Sequence, residues 1–429
     1  MLSKRLARPI GRSSPRHLDP KGLIMPEAVI VSTARSPIGR ANKGSLKDMR
    51  PDDLAVQMVQ AALEKVPGLD PRDITDLHLG NGQPAGEAGH NLARVVAVLS
   101  GLDHLPGVTV NRYCSSSLQT TRMAFHAIKA GEGDAFISAG VETVSRFVNG
   151  YADLPGSENP RFADAIARTA RRAEGGADTW TDPRESGELP DLYIAMGQTA
   201  ENVAQHLGMS RQEQDEFGVR SQNLAEKAIA DGFWAKDITP VTLPDGTIVS
   251  TDDGPRAGVT LEGVSGLKPV FRPDGTVTAG NACPLNDGAA AVVVMSDVKA
   301  KELGLTPLAR IVSTSVTGLS PEIMGLGPVE AIPAALRTAG MGIDDIDLYE
   351  INEAFAVQAW GSAKTLGIPL DKLNVNGGAI AIGHPFGMTG ARITSTLINS
   401  LQHHDKQFGV ESMCVGGGMG MAMVLERLS

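Results

Sequence analysis

The stretch NRYCSSSLQTTRMAF, residues 111–125, sets one cysteine between a polar turn and a run with helical spacing. Just upstream, VTVN (108–111) is a short β-branched run and reads as a strand. Downstream, Leu118, Met123, Ala124, Ala127 and Ile128 recur at helical intervals. Strand, tight turn and helix in direct succession are the unit of an α/β fold, with Cys114 at the head of the helix. There the thiol meets unpaired N–H groups and the positive end of the helix dipole, which favours thiolate. On this motif alone, a nucleophile and an ordinary packed cysteine are both open readings.

The same rhythm extends to either side. EAVIVSTA (27–34), DLHLGN (76–81) and DAFISAGVE (134–142) read as strands, and PDDLAVQMVQAALEKV (51–66) and NLARVVAVLSGL (91–102) as helices. This βαβαβαβ series implies a sheet with helices on both faces. Residues 145–275 break it, being rich in Gly, Pro, Asp and Arg, with one clear helix from the capping box Ser210–Glu213 through QNLAEKAIADG. So long an irregular region reads as an inserted loop domain. GTVTAGN (275–281) and GAAAVVVMS (288–296) then read as strands, and a second series follows. In it LARIVSTSV (308–316), DIDLYEIN (345–352), FGVESMCVGG (408–417) and GMAMVLERL (420–428) are strands. GPVEAIPAAL (327–336), EAFAVQAWGSAKTLG (353–367) and GMTGARITSTLINSLQ (387–402) are helices. VTVN and LNVN (373–376) each read as a short strand ending in Asn ahead of a long helix, so the fold is expected to be internally duplicated.

With 429 residues, 42% hydrophobic, the chain can bury a core large enough for two or three packed units. A net charge of −10 argues against nucleic acid as a partner, while leaving room for a local basic pocket. No uncharged apolar run of 18 or more residues is present, so no membrane span is expected. Cys114, Cys283 and Cys414 are odd in number, far apart and in no C-x-x-C pair, which disfavours both a disulfide framework and a metal site. Reduced thiols in a cytoplasmic protein fit better. Residues 1–24 carry Lys4, Arg5, Arg8, Arg12, Arg16 and Lys21 against one acid, Asp19. They read as a disordered basic extension ahead of Met25, or as a mitochondrial targeting peptide; Pro9, Pro15 and Pro20 favour the former.

A nucleophilic cysteine needs a base. His384 lies in GGAIAIGHPFGMTG, where glycines allow close approach, which suits catalysis better than the helix positions of His126, His403 or His404. Cys414 lies in MCVGGGMGMAM, whose free N–H groups could form an oxyanion pocket beside a thiol that shuttles a proton. Asn352 and Glu353 stand where a strand meets a helix, a usual place for site residues, yet they could merely cap the helix or complement its dipole.

Taken in order, NRYCSSS around Cys114, NEAF (352–355), GHPFG (383–387) and CVGGGMG (414–420) resemble the signature blocks of the thiolase family. VSTARSPIGRANKGSL, MGQTAENVA (196–204) and GTVTAGNACPLNDGAAAVVVM (275–295) also match, so the resemblance spans about residues 26–428. It implies a duplicated fold of two βαβαβαββ halves in five αβαβα layers. Residues 25–145 and 275–297 would form the N-terminal half, 146–274 a loop domain for CoA and acyl binding, and 298–429 the C-terminal half. It further implies thiolytic cleavage of 3-ketoacyl-CoA by coenzyme A, with no permanently bound cofactor, in a homodimer or homotetramer. Cys114 would attack the 3-keto carbon with His384 as base, and Cys414 would protonate the departing enolate and then activate CoA. The enolate oxygen would be held by His384 and a water on Asn352, and the acyl oxygen by the N–H groups of Cys114 and Gly416, where a Cβ would crowd it.

Departures from the family pattern bear on the substrate. Ala195 stands where acetoacetyl-CoA enzymes commonly carry histidine, which points to longer or bulkier acyl groups and to fatty-acid β-oxidation. Cys283 replaces a serine that contacts the pantetheine arm, Met388 fills a position more often Ala or Ser, and Arg256 matches a position near the CoA phosphates. Within the family the alternative is a biosynthetic acetoacetyl-CoA thiolase running the Claisen condensation, and three readings outside it are less complete. A decarboxylating condensing enzyme would lack Cys414, a silent acyl-CoA-binding protein would lose one of the three chemical residues, and a cysteine hydrolase leaves the Cys414 block without a role.

Overall fold

A computed structural model describes residues 25–147 and 156–429; the expectations for residues 1–24 lie outside it. The N-terminal half supplies strands β1 (Ala28–Arg35), β2 (Asp76–Gly80), β3 (Gly107–Val110), β4 (Ala135–Thr143) and β5 (Asn286–Ser296). The C-terminal half supplies β6 (Ala309–Gly318), β7 (Leu348–Ile351), β8 (Phe408–Val415) and β9 (Met419–Arg427). The helices that matter here are α1 (Pro51–Glu64), α2 (Leu92–Leu99), α3 (Ser116–Ala130), α4 (Ala163–Ala173), α5 (Met196–Leu207), α6 (Arg211–Ala230), α7 (Gly327–Ala339), α8 (Ala356–Leu366) and α9 (Thr389–His403).

The duplication is visible in the pairing. In the first half β1 pairs antiparallel with β5 and β5 with β4, while β4, β2 and β3 run parallel. In the second, β6 pairs antiparallel with β9 and β9 with β8, β8 runs parallel to β7, and a parallel bridge joins Tyr349 of β7 to Leu373. Leu373 thus stands where β3 stands in the first half. Two residue pairs between β1 and β6 join the half-sheets edge to edge.

Strand alternation builds the layers. Ala290, Val292 and Val294 of β5 face a central core shared with α3, α9 and the inner residues Met413, Met421 and Met423. Ala289, Ala291, Val293 and Met295 face an outer core under α1 and α2. Val410, Ala422 and Val424 face a second outer core under α7 and α8. Helices α3 and α9 meet in the middle. A Cβ on Gly390 would run into the backbone of Leu118, and Ala391 N–H donates to Ser117 Oγ at 2.9 Å.

Three expectations about elements need correction. GTVTAGN is no strand: the Glu201 carboxylate takes the N–H groups of Thr276 and Val277, and Asn281 Oδ1 takes that of Thr278, so these amides are not free for a ladder. LNVN makes a single bridge, because Asn374 turns left-handed (φ 44°) and its side-chain amide takes over the ladder, accepting from Ile351 N–H and donating to Ile351 O, each at 2.9 Å. The inserted region holds α4 and α5 besides the expected α6, whose Ser210–Glu213 capping box is present. Among the described residues no helix is long and apolar enough to cross a membrane.

Candidate active site

The site forms where strand ends from both halves meet, as open α/β sheets place their chemistry. Cys114 lies in the short turn between β3 and α3, just after Tyr113, which is held at φ 42°. That left-handed backbone is strained for a tyrosine and turns the chain sharply so that the cysteine precedes the helix. Asn352 follows β7 and its N–H donates to Ser412 O of β8; Cys414 is two residues further along β8. Burial pushes the Cys114 thiol up to about 11, against the opposing pull of two backbone N–H groups, those of Gly416 and of Cys114 itself. The expected helix-head thiolate is therefore corrected: desolvation outweighs the amides, and Cys114 rests as a neutral thiol. The two amides that meet its sulfur are the pair expected to hold an acyl oxygen.

His384 is fixed from three sides. Its backbone N–H donates to Asn286 Oδ1 at 3.0 Å, and the next glycine turn is held by Glu142, whose carboxylate accepts from Gly82 and Gly387 N–H. Gly383 sits at φ 119° with no room for a Cβ beside Ile38 and Asn286, which is the steric reason for glycine there. The ring's Nδ1 lies 2.6 Å from Thr389 Oγ1, and the Thr389 hydroxyl donates its one proton to Pro385 O at 2.7 Å. Thr389 must accept from the ring, so Nδ1 carries the proton and Nε2 is a bare lone pair. Nε2 is buried without a protein partner. Burial and the charge of Arg392 lower His384 to about 3, so the imidazole is neutral. A neutral ring with a free, unpartnered Nε2 is the protonation state a general base needs.

Asn352 is oriented in the same manner. Arg392 Nη2 donates to its Oδ1 at 3.4 Å, which leaves Nδ2, buried and unpartnered, as a donor. Glu353 neither caps α8 nor complements its dipole. Phe355 is the N-cap, and the buried Glu353 carboxylate accepts from Ser221 Oγ, Asn374 Nδ2 and Ile380 N–H. Cys414 is fully buried, and desolvation, with Cys114 and Cys283 nearby, raises its thiol well above the ordinary value. Cys283 packs against the same small cluster as Cys414, Met324 and Ala354, and burial beside Cys114 pushes it up to about 12. The fold thus gathers all three cysteines. Arg256 does not join them: its side chain is exposed and its N–H donates to Gln222. Thr389, Arg392, Asn286 and Glu142 were not singled out from the sequence. Among the described residues no group of three or more metal-ligating side chains could hold an ion.

The glycine turn separates structural need from room for chemistry. Gly417 and Gly418 both sit at φ 80°, and a Cβ on Gly418 would collide with Leu319 O. Gly416 has neither restriction, since a Cβ there meets the Tyr113 ring at an ordinary 3.4 Å. Gly418→Ala is expected to destabilise by about 2 kcal/mol or more. Gly416→Ala should leave thermal unfolding nearly unchanged yet slow turnover about tenfold or more, its methyl lying beside the N–H that meets Cys114. Parallel melting and rate measurements on the two variants check this.

The charge states predict a second result. A base that protonates only toward pH 3 and a thiol that ionises only toward pH 11 give kcat/KM no inflection of their own between about pH 5 and 9, leaving the buried Glu142 beside the turn, pushed up to about 7, as a group that titrates there. A midpoint near 6.5 that persists in a Glu142→Gln variant would contradict the buried neutral histidine.

A neutral thiol under two amide donors, a neutral imidazole with a free Nε2 and a second buried thiol form an arrangement compatible with acyl transfer. Family models agree: residues 28–298 match the thiolase N-terminal domain and residues 305–427 the thiolase C-terminal domain, so the chain belongs to the thiolase family. A 3-ketoacyl-CoA thiolase of Bacillus subtilis is 44% identical over 416 residues, covering 94% of this chain and all of that protein. An acetyl-CoA acetyltransferase of Cupriavidus necator is 44% identical over 411 residues, with the same coverage. The solved dimeric peroxisomal thiolase of Saccharomyces cerevisiae superposes with a TM-score of 0.83 at 37% identity, covering 94% of this chain and 97% of that one.

Proposed function

We propose that this thiolase is a degradative 3-ketoacyl-CoA thiolase that cleaves substrates longer than acetoacetyl-CoA, as in fatty-acid β-oxidation. The observation that carries the reading is the segment at the start of α5. The small, exposed Ala195 stands beside Met196, which packs against the buried cluster that contains Cys414, and Leu192 and Tyr193 of the same segment remain exposed. A histidine there would fill space that an acyl chain can use. The Bacillus relative's name agrees with cleavage and the Cupriavidus relative's with the biosynthetic alternative.

In the proposed cycle His384 Nε2 takes the Cys114 proton as the sulfur adds to the 3-keto carbon, under the N–H groups of Cys114 and Gly416. Breaking the carbon–carbon bond leaves the acyl group on Cys114 and releases an acetyl-CoA enolate, its oxygen held by protonated Nε2 and a water on Asn352. Cys414 gives that enolate its proton, becomes thiolate, and takes the proton of incoming CoA. The CoA thiolate then displaces Cys114, which recovers its proton from His384. CoA is a substrate in this scheme and no resident cofactor is used; Arg256 and Cys283 are proposed contacts to its phosphates and pantetheine arm. The free edge of β3 offers a surface for pairing a second copy into a dimer, and the cytoplasm is the proposed setting.

The test follows loss of 3-ketoacyl-CoA absorbance on adding CoA, across chain lengths. Faster cleavage of longer substrates than of acetoacetyl-CoA is expected. Preference for acetoacetyl-CoA would favour the biosynthetic alternative, and no CoA-dependent cleavage of any substrate would end the thiolase activity proposed here.

A further inference from the structure

A buried carboxylate outside the catalytic group ties the inserted region to the catalytic turn. Glu322 lies in the 3-10 segment Pro321–Leu326 of the C-terminal half and is only 2% exposed. Among the described residues, the hydrogen bonds to its side chain come from the inserted region. Arg168 Nη2 of α4 donates to Oε1 at 2.8 Å, Trp180 Nε1 to Oε2 at 2.8 Å, and Asp191 N–H to Oε1 at 2.9 Å. Its backbone carbonyl takes a fourth bond from Asn202 Nδ2 of α5 at 3.0 Å. Arg168 Nη2 also donates to Leu189 O, so one guanidinium and one carboxylate grip residues 189–191 together.

Both ends of this link touch the site. Leu319 N–H, just ahead of the Glu322 turn, donates to Gly418 O, and Met324 just behind it belongs to the same buried cluster as Cys414. On the inserted side, the residue after Asp191 is Leu192, whose Cδ1 lies 3.7 Å from where a Cβ on Gly417 would be, and Met196 joins the Cys414 cluster. Leu192 thus stands beside the Gly416–Gly418 turn, in an exposed segment with Leu189 and Tyr193 whose backbone is tied to Glu322 at Asp191 and, through Arg168, at Leu189. Every group aimed at the carboxylate is a donor, so only a group with two accepting oxygens satisfies all of them.

We propose that Glu322 is a positioning residue that sets acyl-chain specificity by clamping segment 189–196 over the catalytic turn. The inference rests on the thiolase reading above. A long acyl chain uses this segment and loses binding when it loosens, whereas the shortest substrate does not.

Glu322→Gln keeps the shape but turns an NH2 toward an N–H donor and removes the nearer of the two carboxylates paired with Arg168, leaving Glu188. The experiment measures kcat and KM for acetoacetyl-CoA and for a long-chain 3-ketoacyl-CoA, with melting curves alongside. A rise of about tenfold in KM for the long substrate, with kcat and the acetoacetyl-CoA values within about twofold, is expected. Arg168→Met, at a more exposed position, should shift the same ratio in the same direction and keeps the test open if Glu322→Gln folds poorly. An unchanged chain-length ratio in both variants, or an equal loss on both substrates, would overturn the proposal. Inactive wild type on every substrate would instead refute the thiolase activity on which it rests.

Discussion

Replacing Cys114 with alanine is expected to lower CoA-dependent cleavage by roughly 10^4-fold or more and to abolish any covalent acyl adduct. The size follows from the absence of a substitute. Cys283 and Cys414 are close, but the two amides that would receive the acyl oxygen are directed at Cys114. His384 Nε2 would remain a base with nothing to activate. The side chain is also part of the central core, so the truncation should cost about 1 kcal/mol of stability, too little to account for the loss. Melting curves and rates on the same preparation separate the two effects.

Cys414→Ser is expected to separate the half-reactions. A fully buried thiol whose pKa lies well above the ordinary value holds its proton until an enolate stronger in base appears, and so suits the acid role. Serine can still donate a hydrogen bond there, but its alkoxide is too unfavourable to serve as the base for CoA. Acylation by substrate should therefore persist, while turnover falls by about 10^2-fold or more and acyl-enzyme accumulates. Rapid-quench measurement of bound acyl against released acyl-CoA checks it; full activity in this variant would remove Cys414 from the mechanism.

Much of this arrangement was legible in the chain. Strands such as GAAAVVVMS are apolar throughout because β5 is buried on both faces, and that signal survives without tertiary information. Cys114, Asn352, His384 and Cys414 were marked by glycines, prolines and element junctions around them. What escaped were elements whose backbone is satisfied by side chains from far away. Nothing in GTVTAGN announces that Glu201 will take its amides, and nothing in LNVN that Asn374 will turn and cap Ile351 with its own side chain. The supporting residues escaped for the same reason: Thr389 decides the tautomer of His384, yet reads locally as an ordinary first-turn threonine. The charge state of Cys114 was misread because the helix head is visible in sequence and the burial that outweighs it is not.

The most direct test of the central claim is the mass of the intact enzyme after mixing with a 3-ketoacyl-CoA in the absence of CoA. The expected result is one added acyl group, two carbons shorter than the substrate's acyl chain, mapped to the peptide bearing Cys114 and released as acyl-CoA when CoA is supplied. No adduct, an adduct on Cys283 or Cys414, or one that CoA fails to remove would contradict the account.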